Sequence, residues 1–304
     1  MLKRLPLGLH LDVLASDYHS DCAETPSLSS GLAKVLLEAT PKHAWLKHPR
    51  LNPNFEHGYD DKFNLGSVVH ELILGRGGGI EILPAEFTDY RKKDAQQMKA
   101  DARVAGLTPI LAHQYAEAQE IAQQASHALK EIPDCESFFH PSAVSEAVVI
   151  WPDIGGPVCR AMIDRLSGFE AWDIKTTSAG LSDAAISRTI ANLGYDVSAA
   201  FYLRGLAALK GVTFNFRWVF VETDPPYEVR VIEPDATTLA IGTRKAALAI
   251  EKWRKALEHN LWVGYPRHIT RSFYPVWAEE QWLQNECVDA DFANVVLGDR
   301  VRNV

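Results

Sequence analysis

Apolar residues in the first third of the chain recur with the three-to-four-residue spacing of amphipathic helices. The spacing predicts a mostly helical part at residues 1–135, with helices over residues 27–39, 64–75, 90–104 and 110–130. In the first of these helices, Leu32, Val35 and Leu36 share one face. Ser29 or Ser30 is a suitable N-cap for it.

From residue 143 onwards the pattern changes to short apolar runs, which are typical of strands. Three consecutive strands joined by short Gly-containing turns are predicted over residues 143–151, 158–167 and 169–177. Two helices, two strands and a long helix are predicted to follow, over residues 181–191, 195–209, 214–222, 227–233 and 236–259. The aromatic-rich tail from residue 260 is expected to be loop-like. Because no βαβ unit repeats, the predicted fold class is α/β of the mixed, α+β kind.

The composition fits a globular protein with a sizeable core. The 304 residues are 47% hydrophobic and 23% charged, and the net charge is −8 at pH 7. This charge argues mildly against a protein that coats nucleic acid, but it allows a local basic groove. Four scattered cysteines favour reduced thiols over disulfide or metal–sulfur sites. Since no long apolar stretch is present, we expect a cytoplasmic protein without a membrane span.

Charged residues interrupt the apolar strand predicted at 169–177. Asp173 and Lys175 are two positions apart and therefore share a face. Asp164, on the preceding strand, lies near them if the two strands pair as a hairpin. Two carboxylates held close repel each other, so a divalent cation is a natural partner, and the lysine can orient or activate a water. The alternative is a cross-strand salt bridge on a solvated face, although the neighbouring residues are unusually apolar for that.

Two further polar residues can join such a cluster. His70 lies on an otherwise apolar predicted helix, where a histidine hydrogen-bonded within the core is the common alternative. Glu146, on the first strand, is a further metal ligand, a residue that hydrogen-bonds to the ligands, or a solvent-facing residue. The glycine run at 75–79 lacks the GK[ST] of a P-loop and is expected to be a structural or mobile loop.

Four motifs follow one another along the chain. They are G-x-x-x-H, I-D, D-I-K-T and Y-x-x-S-x-A-F-Y, at residues 66–70, 163–164, 173–176 and 195–202. Together they resemble the exonuclease VIII (RecE-like) family of phage and prophage recombination exonucleases, within the PD-(D/E)xK nuclease superfamily. The resemblance extends over nearly the whole chain, and it implies a central mixed β-sheet flanked by helices. It also implies a single nuclease domain at 1–304, with the helical part at 1–135, the catalytic sheet and helices at 143–260 and a tail at 261–304.

The resemblance implies roles for the motif residues. His70, Asp164 and Asp173 would coordinate Mg²⁺, with Mn²⁺ as the other suitable cation, and the backbone carbonyl of Ile174 would assist. Lys175 would orient the attacking water and stabilise charge on the phosphate. All four side chains would thus take part in catalysis.

The resemblance also implies how DNA is bound. The helix with the last motif would line the DNA path through Tyr195, Ser198 and Tyr202. The family commonly has a glutamine where Ser198 stands, so this departure puts the strength of the activity in question, and Tyr202 or Asn192 would have to substitute. Basic residues expected near the DNA, each an ordinary solvated charge in the alternative reading, are Arg91, Lys92, Lys93, Arg160, Arg165 and Arg188.

The implied function is Mg²⁺-dependent exonuclease activity on linear double-stranded DNA. Digestion would proceed 5′ to 3′ and leave 3′ single-stranded tails for recombination by strand annealing. The implied partners are double-stranded DNA ends, a single-strand annealing protein and further copies of the chain in a ring-like homo-oligomer. The implied location is the cytoplasm of a bacterial host cell, and the implied source is a phage or prophage. Two alternatives stay open. One is a weak or inactive DNA-binding recombination or defence scaffold, which Ser198 favours, and the other is an endonuclease of the same superfamily or a single-strand nuclease.

Overall fold

A computed structural model describes residues 4–56 and 64–288, which form two compact units divided after Gly264. The strands of the first unit are β1 (Gly8–His10), β2 (Leu28–Ser29), β3 (Ile80–Leu83), β4 (Thr108–Leu111), β5 (Val144–Pro152), β6 (Val158–Ser167), β7 (Glu170–Thr177), β8 (Asn215–Glu222) and β9 (Val229–Ile232). Its helices are α1 (Ala15–His19), α2 (Ser30–Glu38), α3 (Pro41–Leu46), α4 (Asn64–Leu74), α5 (Lys93–Val104), α6 (Ala112–Glu131), α7 (Asp183–Asn192), α8 (Tyr195–Lys210) and α9 (Ala236–Glu258). The second unit contains α10 (Val276–Val288).

The main sheet is mixed and follows the order β1-β5-β6-β7-β8-β9. β5, β6 and β7 form an antiparallel meander, β7 and β8 run parallel, and β9 returns antiparallel to β8. β2 pairs in parallel with β6 at Cys159 and Arg160. The helices α7 and α8 supply the crossover that the parallel pair β7–β8 requires. The fold is mixed α/β with a central mixed sheet, as predicted.

Helices cover both faces of this sheet. On one face, α2, α3, α8 and α9 pack on an apolar cluster that includes Trp151, Trp218 and Trp253. On the other face, α4 and α6 pack on β7, β8 and β9 through a cluster that includes Trp172 and Ile174. Burial of these large apolar side chains provides much of the hydrophobic stabilisation. The charged residues of β6 and β7 therefore lie between two apolar layers.

The elements predicted from residue 143 to residue 259 agree with the structure to within two residues at each boundary. In the first third, Ser29 is the N-cap of α2, since its Oγ accepts the N–H of Leu32 at 3.3 Å. Pro41 separates α2 from α3 and occupies the first turn of α3, where its missing N–H costs nothing.

Several elements differ from the prediction. The tail was expected to be loop-like, but residues Val276–Val288 form α10. The apolar residues of α10 are spread around the helix and form no single apolar face. The sequence pattern therefore did not indicate a helix here. The strands β3 and β4 were also missed, because each has only four residues and they pair with one another across α5.

In the part of the chain that the structure describes, no helix combines the length and apolar character needed to cross a bilayer. All four cysteines are free thiols, and Cys22, Cys135 and Cys159 are buried. Burial raises the pKa of these three thiols, which keeps them protonated and unreactive.

Candidate active site

The main sheet opens into a fork at Asp164, in the middle of β6. On one side of this residue, β6 pairs with β7 through Arg165↔Trp172 and the two pairs that follow. On the other side, β6 pairs with β2 instead. The register places Asp164 opposite Asp173, one step beyond the last β6–β7 pair. The two predicted carboxylates therefore come from adjacent positions on β6 and β7, where the strands separate.

Asp164 contacts one group on β7 and one on α4. Its Oδ2 accepts the N–H of Ile174 at 2.7 Å and lies 3.0 Å from His70 Nε2. Burial alone would raise the pKa of Asp164, but the charge and hydrogen bond of His70, together with Lys175, lower it overall. Burial likewise opposes protonation of His70, yet Asp164 raises the pKa of the imidazole overall. Each of the two groups therefore favours the charged form of the other.

The helix α4 holds His70 against the sheet. Val68 and Val69 of this helix are fully buried in the cluster that contains Ile174. Gly66 makes the close approach possible, because a Cβ at this position would lie 2.5 Å from Oγ1 of Thr176 on β7. The G-x-x-x-H motif therefore combines a packing glycine with the histidine that it positions.

Asp173 and Lys175 share a face of β7, as their spacing predicted. Lys175 Nζ lies 2.6 Å from Asp173 Oδ2, and the exposed side-chain fractions are 21% and 1%. Burial raises the pKa of Asp173 to about 6, although Lys175 opposes the rise. Burial would lower the pKa of Lys175, but Asp173 and Asp164 raise it overall, so the ammonium keeps its proton.

Glu146 stands opposite Asp164 on the other side, in β5. Ser145 and Ala147 pair with residues of β6, whereas Glu146 between them has a φ of 53°. A non-glycine residue in this region is strained, and such strain is common at functional sites. Burial raises the pKa of Glu146, opposed by His70 and by Arg76, whose Nε lies 3.5 Å from Glu146 Oε2.

The glycine run after α4 is held in place by two side chains. Glu71 accepts the N–H of Gly79 at 3.2 Å, and Arg76 binds Asp12 at 2.6 Å as well as Glu146. The run is therefore a structural loop that brings an arginine to the site.

Three predicted DNA-binding residues lie along one side of α8. The Lys175 ammonium lies over the Tyr195 ring, 5.1 Å from the ring centroid, and this ring also contacts Phe220. Tyr202 is within hydrogen-bond distance of Ser30, with 3.4 Å between the two oxygens. Ser198, one helical turn after Tyr195, is 5% exposed. Burial raises the pKa of both tyrosines, so both phenols stay neutral.

Arg160, expected near the DNA, borders the cavity but uses its guanidinium inside the protein. Its guanidinium is buried and donates to Asp21 Oδ1 at 3.0 Å, to Ser27 and to the carbonyl of Tyr18. A charge that is fully engaged inside the protein is not available to a phosphate. Arg165 is half-buried and is likewise engaged, with the carbonyl of Phe138 and the hydroxyl of Ser145.

The remaining predicted basic residues are exposed and lie outside the residues that line the cavity at the fork. They are Arg91 and Lys92 before α5, Lys93 at its start and Arg188 on α7. Arg91 pairs with Asp89 at 3.5 Å, and the Lys92 ammonium lies over the ring of Phe87. The structure does not bring these four residues together with the motif residues.

A cavity of about 730 Å³ adjoins the fork. Its walls come from both helical layers and from the strands, and they include Ser30, His70, Glu146, Asp164 and Tyr202. The lining combines polar and apolar groups, as does a groove that binds a nucleic-acid strand through its phosphates and bases.

The donor set at the fork suits a hard divalent cation. Asp173 Oδ2 is buried and contacts the ammonium of Lys175 at 2.6 Å. Within the described ranges, no three His, Cys, Asp or Glu side chains already converge as a ligand group. The carboxylates are turned towards His70 and Lys175 instead. A cation would therefore compete with these two ion pairs for oxygen ligands.

Three residues at the site lie outside the four motifs, and the sequence analysis did not predict their place there. They are Arg76 in the glycine run, Ser30 beside Tyr202, and Lys34, whose ammonium lies 5.7 Å from the Tyr195 ring. The lone arginine in an otherwise glycine-only run was the only signal available for Arg76. Lys34 and Ser30 reach the site through tertiary packing of α2, which no local pattern reveals.

The mixed sheet, its two helical layers and the carboxylate–lysine cluster at the fork together define a protein of the PD-(D/E)xK nuclease class. Residues 47–269 match the family described as a PDDEXK-like domain of unknown function (DUF3799). Because this match extends over more than half of the chain, the chain belongs to that family.

A solved structure shows the same fold. A provisionally named exonuclease from Eubacterium rectale superposes with a TM-score of 0.58 at 13% identity, over 89% of this chain and 98% of that chain. SSO0001 (TM-score 0.27, 14% identity, 64% of this chain and 87% of that chain) and LHK-Exo in complex with dAMP (0.23, 15%, 65% and 94%) are too distant to support an argument. A comparison with curated proteins finds no match. The family supports a nuclease as the class of protein, and the first of these structures supports the fold.

Proposed function

We propose that the protein is a divalent-metal-dependent deoxyribonuclease that hydrolyses phosphodiester bonds. The observation that carries this proposal is the convergence of Asp164, Asp173, Lys175 and His70 at the fork. Two carboxylates, an imidazole and a lysine are suitable groups for metal-assisted attack of water on a phosphate.

His70, Asp164, Asp173 and the carbonyl of Ile174 would hold Mg²⁺ or Mn²⁺, with Glu146 beside them. The bound cation would supply Lewis-acid stabilisation of the charge that develops on the phosphate. Both cations suit a site of mainly oxygen ligands.

Lys175 would act as a hydrogen-bond donor in this reaction. Because Asp173 and Asp164 keep its ammonium protonated, it would orient the attacking water and stabilise a phosphate oxygen. Tyr195, whose ring supports the Lys175 ammonium at 5.1 Å, would hold this donor in position.

We further propose that the substrate is linear double-stranded DNA and that the product carries 3′ single-stranded tails after 5′ to 3′ digestion. This is supported by the resemblance of the four motifs to the RecE-like family. The same resemblance supports recombination by strand annealing, with a single-strand annealing protein and a ring-like homo-oligomer as partners, in the cytoplasm of a bacterial host of a phage or prophage.

The proposal is tested with a linear duplex and a closed circular duplex of the same sequence, incubated with Mg²⁺ or Mn²⁺. We expect digestion of the linear DNA only. Lys175→Ala should lower the rate by about 10²–10⁴-fold, because a preorganised donor is lost. Lys255→Ala, which removes an exposed lysine on α9 that pairs with Glu251, is the control and should leave the rate unchanged.

Two other outcomes would point elsewhere. DNA binding without cleavage at any metal concentration would favour the scaffold, which is supported by the short buried side chain of Ser198 on α8. Cleavage of the closed circle would favour an endonuclease. Equal rates for the parent protein and Lys175→Ala would contradict the assignment of the site.

A further inference from the structure

A second lysine lies beside the proposed catalytic lysine. The ammonium of Lys34, on α2, lies 5.7 Å from the centroid of the Tyr195 ring, and that of Lys175 lies 5.1 Å from the same centroid. A single aromatic ring thus borders two cations that come from different layers of the fold.

The side chain of Lys34 is fixed along its length. Its stem passes over Gly194, where a Cβ would lie 2.8 Å from Lys34 Cδ, so only glycine leaves room for it. Its ammonium donates to the carbonyl of Leu193 at 3.2 Å. An ammonium has three N–H donors, and this neutral carbonyl accounts for one of them without cancelling the charge.

The two lysines repel each other. Burial lowers the pKa of Lys34 and the charge of Lys175 lowers it further, against the opposing effect of Asp173, Glu38 and Asp196. Holding like charges together in a half-buried place is unfavourable unless an anion joins them. The site therefore favours a negatively charged ligand between α2 and β7.

We propose that Lys34 binds a phosphate of the nucleic-acid backbone, at or next to the phosphate that Lys175 contacts. This inference rests on the proposed function of the fork, because the ligand is the strand that enters it. Lys34 would then position the strand, since its ammonium shares the Tyr195 ring with the ammonium of Lys175.

A purely structural role is the rival explanation, because a lysine that donates to the last carbonyls of a helix stabilises that helix. Lys252 supplies a matched control. It is also half-buried, and it donates to the carbonyl of Leu36 near the end of α2 at 2.9 Å. Among the described residues, the cations that lie over the Tyr195 ring are Lys34 and Lys175, and Lys252 is not one of them.

The test is the salt dependence of DNA binding by the full chain, measured with a linear duplex carrying a single-stranded tail, with chelator present so that no cleavage occurs. Each phosphate contact contributes about 0.7–0.9 to the slope of log K against log salt concentration. Lys34→Met should reduce this slope by about that amount and weaken binding by about tenfold or more at low salt. Lys34→Arg should restore the slope, and Lys252→Met should keep it.

An unchanged slope in Lys34→Met would overturn the inference, as would equal changes in Lys34→Met and Lys252→Met or no binding by the parent protein at low salt. Thermal melting of each variant shows whether it is folded. The inference and the proposed function fail separately: cleavage by the parent with an unchanged slope contradicts only the role of Lys34. Binding with the expected slope change but no cleavage with any metal contradicts only the nuclease.

Discussion

At the scale of single residues, Asp21 is the centre of a buried charge cluster behind the cavity. Its carboxylate is fully buried and binds Arg160 at 3.0 Å, His48 at 3.3 Å, and the N–H and hydroxyl of Ser27. Arg50 adds a further contact at 3.3 Å. These bonds tie the N-terminal segment to β6, the strand that carries Asp164.

Asp21→Asn should destabilise the protein by about 3–5 kcal/mol, because the amide leaves the buried guanidinium of Arg160 without its counter-charge. Urea denaturation of the parent and the variant measures the difference. Asp183→Asn is the control, since Asp183 forms an exposed pair with Arg230 and its loss should cost at most about 1 kcal/mol. Equal losses in the two variants would contradict the importance of the cluster.

The same cluster predicts a pH dependence of stability. Burial would raise the pKa of Asp21, but the hydrogen bond of His48 and the charge of Arg160 lower it overall. A carboxyl with a lowered folded pKa contributes stability that is fully present above its unfolded pKa of about 3.9. That contribution is lost as the pH falls through the folded pKa.

Asp21→Asn should therefore flatten the acid side of a stability–pH curve below a pH of about 4. Urea midpoints measured across this range would check it. If the parent protein and Asp21→Asn lose stability in parallel on acidification, Asp21 is not the group that titrates.

Burial also decided which residue roles the sequence could predict. Asp173 and Lys175 were predicted because their contact follows from the two-residue period of one strand. The contact of Arg160 with Asp21 was not predicted, because the two residues lie in distant segments of the chain. The site contacts of Lys34 and Arg76 were missed for the same reason.

At the scale of elements, the packing of α4 on β7 sets the position of His70. Gly66→Ala would place a methyl group 2.5 Å from Thr176 Oγ1, so α4 must shift. We expect a loss of about 1–3 kcal/mol in unfolding free energy and a lower rate of DNA cleavage.

Thr176→Ala combined with Gly66→Ala should recover much of the stability, because it removes the atom that the new methyl group meets. Gly31→Ala on α2 is the stability control, since the nearest atom to its added Cβ is 3.9 Å away and alanine favours helices. A double variant as unstable as Gly66→Ala would show that this contact does not set the spacing.

The strands and helices of the core were predictable because their periodicity is local, and they agree with the structure to within two residues. The fork was not, because it arises where β2 replaces β7 as the partner of β6. A pairing between residues so distant in sequence leaves no periodic signal. The left-handed backbone conformation of Glu146 could not be predicted either, because it also leaves no periodic signal.

At the scale of the whole first unit, the site joins both helical layers through the fork. α4 brings His70 from one face of the sheet, α8 brings Tyr195 and Tyr202 from the other, and the strands carry the carboxylates. The fold class followed from the order of elements, and the nuclease class followed from four motifs in sequence. The convergence of both layers at a break in the sheet required the three-dimensional structure.

The central claim is that the fork is a divalent-metal site. The most direct test is a crystal of the protein soaked in Mn²⁺ and measured at a wavelength where manganese scatters anomalously. We predict an anomalous peak at about 2.0–2.2 Å from carboxylate oxygens of Asp164 and Asp173, with the ion pairs to His70 and Lys175 opened. A crystal in which both ion pairs stay closed and no peak lies between the two carboxylates would contradict the account.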